Sequence, residues 1–373
     1  VARHYLDHAS ASPLRPTAAK AMTEAVDRVV GDPGRIHAEG MAARAALEQA
    51  RDEVAALVGS RSREVVFTSG ATEAIAMATW GAAERGGHQV VAPVEHSAVR
   101  QCAARSGAVT EVDVDRDGRV DPAEVLSSIR SDTALVHVQW ANHEVGSRQP
   151  VAEIVAGCRD RAVLVHVDAA QGVGHDPVDF GSLGADLLSL SGPKFGGPFG
   201  TGALLVRRGL RLRSLLLGGD QERARRAGLE NLFGAVGLGA AAHDLAEPDR
   251  LADEAAAARR LTDRLATALG SLPGVTAFGH PTDRAPHLVC FGIEGVEPQA
   301  VLLGLDQAGI AAHSGSACAT ESLEPSPVLA AMGVDAERSL RLSVGWSTTD
   351  ADIDAVLAAL PPVLERLRAL SGA

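Results

Sequence analysis

Ser189 to Leu204 reads SLSGPKFGGPFGTGAL, one lysine, Lys194, among five glycines and between two apolar runs. The run Ala185–Leu190 leads in as a buried strand does and Gly202–Val206 leads out, so Lys194 falls on a loop joining two strands. Glycines on both sides let backbone approach a ligand closely and take up positive φ. A lysine in a partly desolvated pocket has its pKa lowered and becomes a nucleophilic amine. By itself the loop reads equally well as an exposed turn, and the rest of the chain decides.

Outward from that loop, short apolar runs alternate with segments of helical length. Glu64–Thr68, Gln89–Pro93, Val109–Val114, Ala134–Gln139, Ala162–Val167, Ala185–Leu190 and Gly202–Val206 are expected strands. Thr17–Val30 and Ala38–Val58 are expected helices, stopped by Gly31 and Gly59. Alternation of this kind requires crossover connections and a largely parallel sheet covered by helices, which is the α/β class. Beyond about Pro248 the pattern changes. A helix over Leu251–Leu269 precedes strands at Val275–Phe278 and His287–Phe291, then a helix, a loop bearing Cys318, a strand at Leu340–Val344 and a helix from Asp350. The expected organisation is a large α/β domain with a seven-stranded, mostly parallel sheet over 13–250. A smaller α+β domain takes 1–12 and 251–373, the latter carrying the Cys318 loop.

The chain has 373 residues, 35 basic against 47 acidic, for a net charge of -12. That balance argues against gripping a nucleic-acid backbone. No apolar run is long enough to span a bilayer and VARHYLDHAS lacks a signal pattern, so a cytoplasmic protein with no membrane partner is expected. The four cysteines, Cys102, Cys158, Cys290 and Cys318, show neither metal-ligand nor disulfide spacing. Asp113, Asp115, Asp117, Gly118 and Glu124 fit the calcium-loop pattern, but the segment before them reads as a strand and Pro122 opens a helix after them. No metal site is expected.

In open α/β sheets ligands bind beyond the carboxyl ends of the strands. After Thr68 comes SGATEA, where a helix starting at Ala71, with Thr72 beside it, offers free N–H groups to a phosphate. After the next strand comes His96, placed to stack on a flat ring or move a proton. Asn142, His143 and Glu144 follow Gln139, and Asp168 and Gln171 follow Val167. A buried carboxylate such as Asp168 needs a partner, and a cationic ring nitrogen is one. Cys318 sits among small polar residues in HSGSACATESLEPS, unlike a core cysteine, and Arg341 in SLRLSVG is suited to gripping a carboxylate. An anion-binding helix start, a stacking histidine, an aspartate, a lysine and a late arginine together describe a pyridoxal-phosphate (PLP) site.

The chain also resembles the cysteine desulfurases of the NifS/IscS type, in the class V aminotransferase family. YLDHASASP, HAEGMAARAALEQAR, FTSGATEA, VEHSAV, ANHEVG, HVDAAQGVG, SGPKFGGPFGTGAL, GGDQERARRAGLEN, SGSACATESLEPS and LRLSVGWSTT carry the resemblance across nearly the whole chain. It implies the PLP-dependent transferase fold of type I and a homodimer of such chains, with L-cysteine as substrate and a sulfur-acceptor protein as partner. By position it makes Lys194 the Schiff-base lysine, Asp168 the partner of the pyridine nitrogen, Gln171 a donor to the ring hydroxyl and His96 the stacking residue and proton carrier. Ala71, Thr72 and Ser191 would hold the phosphate, and Arg341, Asn142 and His143 the substrate. Cys318 would take the sulfur as a persulfide while alanine is released.

Three positions depart from that family's pattern. Pro193 stands where histidine usually precedes the lysine, Leu229 where a threonine usually reaches the neighbouring subunit's phosphate, and His143 where a second asparagine is usual. Two lost phosphate donors at roughly 1 kcal/mol each would weaken cofactor binding by about an order of magnitude or more. A C–S or selenocysteine lyase, an aminotransferase and a non-catalytic sulfur-transfer scaffold therefore stand as alternatives, with Cys318 and the cofactor as discriminants.

Overall fold

The computed structural model describes residues 3–314 and 325–371. A two-residue strand, β1 (His4–Tyr5), comes first, then helices α1 (Pro16–Arg28) and α2 (Ala38–Leu57). Seven strands make the main sheet: β2 (Val65–Thr68), β3 (His88–Val91), β4 (Ala108–Glu111), β5 (Thr133–Gln139), β6 (Leu164–Asp168), β7 (Leu187–Ser191) and β8 (Gly202–Val206). Their order is β2-β8-β7-β6-β5-β3-β4. Only β8 runs against its neighbours, β2 and β7, and the other pairings are parallel. The expected α/β architecture is therefore the observed one.

The parallel strands are joined through helices such as α3 (Ala71–Ala82) and α4 (Ser97–Ser106), which return the chain to the same end of the sheet. β2, β5, β6 and β8 are buried along most or all of their length, which is why they read as continuous apolar runs. β4 lies at the sheet edge and is half exposed. β3 stops at Val91 rather than Pro93, since proline cannot donate to the ladder. It starts at His88, whose ring bonds Thr133 Oγ1 and Thr110 Oγ1, polar contacts that an apolar pattern does not announce.

A second sheet has the antiparallel order β12-β10-β9, with β9 (Val275–Phe278), β10 (Leu288–Ile293) and β12 (Ser339–Ser343). β1 pairs in parallel with β11 (Ile310–Ala311), a contact between the two ends of the chain that the sequence pattern did not reveal. Leu6 accordingly packs in one apolar cluster with Leu265, Phe291, Leu340 and Leu360, separate from the cluster over the main sheet. Arg15, 2% exposed, ties the parts together. Its guanidinium donates to Phe195 O, to Asp244 on the helix Leu232–Ala246 and to Glu254 on the helix Arg250–Leu269.

The acidic turn after β4 is entered from a strand, and its carboxylates serve the backbone. Asp115 Oδ1 accepts from the N–H groups of Asp117 and Arg119, and Asp121 caps the helix that Pro122 opens.

Candidate active site

β7 ends at Ser191, and Gly192–Phe195 forms one 3₁₀ turn that carries Lys194. Pro193 fits the first positions of that turn, where no N–H is needed. Gly196 closes it at φ 88°, a conformation natural to glycine. Gly192 has no substitute either, since a Cβ there would lie 2.3 Å from Thr201 Oγ1. Lys194 Nζ donates to Ala9 O at 2.7 Å and to Ser10 O at 2.8 Å. Burial lowers its pKa from 10.5 to about 8, the Arg341 charge pushing the same way while Asp7 and Asp168 oppose.

Lys194 opens on a cavity of about 320 Å³, within the size range of small-molecule sites, roughly 300–1,000 Å³. Asp168, at the end of β6 beside β7, lines it. This carboxylate is buried and, among the described residues, accepts only from Ala170 N at 3.0 Å and Ser189 Oγ at 3.3 Å. Burial raises its pKa, and His96 and Lys194 hold it partly down. Gln171 is held by Ala9 O and His287 Nε2, both at 2.9 Å. Across the cavity, α3 begins at Ala71 with no side-chain cap, and Ala71, Thr72 and Ser191 line the wall there. An uncapped helix start presents N–H groups to an anion.

His96 is the N-cap of α4. Its Nδ1 accepts from Ala98 N at 3.1 Å, which leaves the proton on Nε2. His143 packs edge-on against it, centroids 5.2 Å apart at 69°. Burial lowers the pKa of both rings, and each is lowered further by cationic neighbours. Behind them lie two buried carboxyls that burial pushes up, Glu95 to about 8 and Glu144 to about 7. Glu95 Oε1 accepts from Gln139 N, and Glu144 Oε2 accepts from Ser326 Oγ at 2.6 Å.

Arg341, 1% exposed on β12, closes the remaining side. Nη1 donates to His143 O at 2.8 Å, and Nη2 to Asp7 Oδ1 at 2.9 Å and Ser10 Oγ at 2.7 Å. Its Nε has no hydrogen-bond partner among the described residues.

The structure thus gathers Lys194, Asp168, Gln171, His96 and His143 with Ala71, Thr72, Ser191 and Arg341 around one cavity. Asn142, expected at the substrate, is not on the wall and corrects that expectation. It is fully buried, its Nδ2 bonded to Val94 O and its Oδ1 accepting from Glu144 N and Val145 N, so the side chain shapes the turn that presents His143. Cys318 lies outside the described residues. Pro193 is not among the lining residues, its carbonyl accepting from Ser12 N at 2.7 Å, and Leu229 is 63% exposed. Ala9, Ser10, Gln139 and His313 are among the lining residues to which sequence reasoning gave no role. One available signal was also unused. Of the 35 lysine and arginine residues only Lys20 and Lys194 are lysine. Among the described residues no cluster of histidine, cysteine and acidic side chains is arranged to hold a metal, and no helix is long and apolar enough to cross a membrane.

A model of the aminotransferase class-V family matches residues 4–356. A cysteine desulfurase IscS of Methanosarcina thermophila is 40% identical over 378 residues, covering 98% of this chain and 93% of that protein. Among solved structures, a NifS-like protein superposes with a TM-score of 0.89 at 30% identity, covering 98% of this chain and 99% of that one. A structure described as SspA in complex with cysteine superposes with a TM-score of 0.80 at 28% identity, covering 93% of this chain and 100% of that one. With a family match over nearly its full length and a relative this similar, the chain belongs to the aminotransferase class-V family.

Proposed function

We propose that the cavity holds pyridoxal phosphate and L-cysteine, and that the protein is a cysteine desulfurase that releases L-alanine and retains the sulfur as a persulfide on Cys318. The observation that carries this reading is the placement of a partly neutral amine, Lys194, and a buried carboxylate, Asp168, at the ends of adjacent strands facing one cavity. The donor set fits the group: among the described residues Asp168 has no charged donor, α3 starts uncapped, and the His96 ring lines the same cavity.

Lys194 would hold the cofactor through Nζ, and Asp168 would keep the ring nitrogen protonated. Gln171 Nε2, one hydrogen of which binds Ala9 O, would give the other to the ring hydroxyl. The N–H groups at Ala71 and Thr72, with the Ser191 hydroxyl, would take the phosphate. Bound there, pyridoxal phosphate supplies an electron sink for bonds at the substrate α-carbon. Arg341 receives the substrate carboxylate, and His143 lies beside it. His96 stacks on the cofactor as a neutral ring, burial lowering its pKa, and carries protons at the substrate once Nδ1 gives up its bond from Ala98 N. The Cys318 thiolate forms the S–S bond as the substrate Cβ–S bond breaks, the electron pair of that bond going to Cβ, which takes a proton to give alanine.

The same reading assigns 13–250 to a large cofactor-binding domain and 1–12 with 251–373 to a small one. It also makes the protein a cytoplasmic homodimer that hands sulfur to an acceptor protein. Exposed Ile36, Phe199, Leu217 and Leu229 suit burial against a second copy. The free thiols of Cys102, Cys158 and Cys290 suit a reducing compartment. Incubating the protein with PLP and L-cysteine tests the activity. Alanine is expected from wild type and none from Lys194→Ala, and alanine formed at the wild-type rate by that variant would refute the assignment.

A further inference from the structure

Arg341 faces the cavity with much of its donor capacity already spent. Both hydrogens of Nη2 are engaged, one on Asp7 Oδ1 and one on Ser10 Oγ, and Nη1 gives one to His143 O. Nε alone is buried and without a partner among the described residues. A carboxylate entering the cavity therefore meets a guanidinium that already holds a carboxylate, and a two-pronged grip through Nη2 requires that Asp7 or Ser10 let go. Asp7 is not a loose surface acid. Its backbone bridges to Ser343, two residues from Arg341 on β12, and its Oδ1 also accepts from Ser10 Oγ at 2.8 Å. The pair is largely desolvated, Arg341 at 1% and Asp7 at 17% side-chain exposure, so the attraction is little screened.

We infer that Asp7 is a built-in competitor for the Arg341 guanidinium and sets how tightly this site holds the carboxylate of substrate and product. The inference rests on the assignment of Arg341 to that carboxylate. Asp7 half-neutralises the arginine charge, so a ligand gains only the difference between its own carboxylate and the one it displaces. A site that binds an amino acid and must release another with the same carboxylate benefits from that weakening, since equal, tight holding of both would slow product departure. Orientation of the arginine does not depend on Asp7 alone, because His143 O and Ser10 Oγ also fix the guanidinium. Asp7 is thus a positioning residue whose charge, rather than its hydrogen bond, matters for affinity. The same charge lies near Lys194 and helps hold its pKa up.

The test is calorimetric titration of the holoenzyme with L-alanine and with L-alaninamide, which lacks the carboxylate. Wild type is expected to prefer alanine, and Arg341→Ala to lose that preference. Asp7→Asn keeps an acceptor for Arg341 and Ser10 but removes the charge, and it is expected to bind alanine about tenfold more tightly, with alaninamide little changed. Asp7→Glu is expected to stay within about twofold of wild type. In the apoprotein of Asp7→Asn, the pH midpoint of Lys194 reactivity is expected to move down, a change that a purely structural role would not produce. Should Asp7→Asn not fold, Asp7→Ser makes the same comparison. Unchanged or weaker alanine binding in the uncharged variant, with wild type still preferring alanine, overturns this proposal alone. A wild type that binds alanine and alaninamide equally overturns it together with the assignment of Arg341.

Discussion

Lys194 Nζ donates a 2.7 Å hydrogen bond to the carbonyl of Ala9, a residue 185 positions earlier in the chain. The segment Ala9–Ser12 is thereby a strap across the site. Ser12 Oγ donates to Lys194 O, Gln171 Nε2 donates to Ala9 O, and Ser10 meets Arg341. Lys194, Gln171 and Arg341 all bond to it.

The amine of Lys194, lowered to about pH 8 by burial, is half neutral one pH unit above neutrality. The rate at which apoprotein captures pyridoxal phosphate should rise with pH to a midpoint near 8, followed by absorbance of the bound cofactor. A midpoint above 10, the ordinary lysine range, would contradict the burial of Nζ.

Glu95 is fully buried, with Oε2 unpartnered among the described residues and a pKa raised from 4.5 to about 8. A carboxyl raised on folding binds its proton more tightly in the native state. Apoprotein stability should therefore fall as pH rises from about 4.5 to about 8, by up to about 1.4 kcal/mol per pH unit from this group, and change no further above it. Glu95→Gln should flatten that fall in urea denaturation at pH 5 and pH 8. An identical pH dependence in the variant would rule out Glu95 as its source.

Most strands of the main sheet were legible because they are buried and read as apolar runs, and the site residues at β6 and β7 were legible because strand ends in such sheets face the ligand. The strap was not. Ala9 and Ser10 hold Lys194 through main-chain carbonyls, which no side-chain identity encodes, and β1 pairs with β11 across most of the sequence. Asn142 misled for a different reason. An asparagine that folds its own turn and one that binds substrate are the same residue type, and only the bonds from Glu144 N and Val145 N distinguish them. Gln139 and His313 lie at a strand end and beside the Cys318 loop, places that were noted without a role being given to either residue.

Ser326 makes two structural bonds with one hydroxyl. Its Oγ donates to the Glu144 carboxyl and accepts from Leu329 N as the cap of the helix Pro327–Ala331. Ser326→Ala removes both bonds and should cost about 1–3 kcal/mol in thermal or urea unfolding. A loss under about 0.5 kcal/mol would show that neither bond contributes.

On the proposed function, the family resemblance implies that Pro193 and Leu229 stand where two phosphate donors are expected. Extended dialysis should bleach the protein, and Pro193→His with Leu229→Thr should tighten cofactor binding about tenfold or more, read from the dissociation constant. A wild type that stays fully yellow through dialysis would contradict this.

The central claim is that Lys194 and Cys318 act in one reaction on L-cysteine. The direct measurement is alanine and protein-bound persulfide formed from L-cysteine by the wild type, Lys194→Ala and Cys318→Ala. Wild type should give both products and each variant neither. Alanine released by Cys318→Ala at the wild-type rate would contradict the persulfide mechanism.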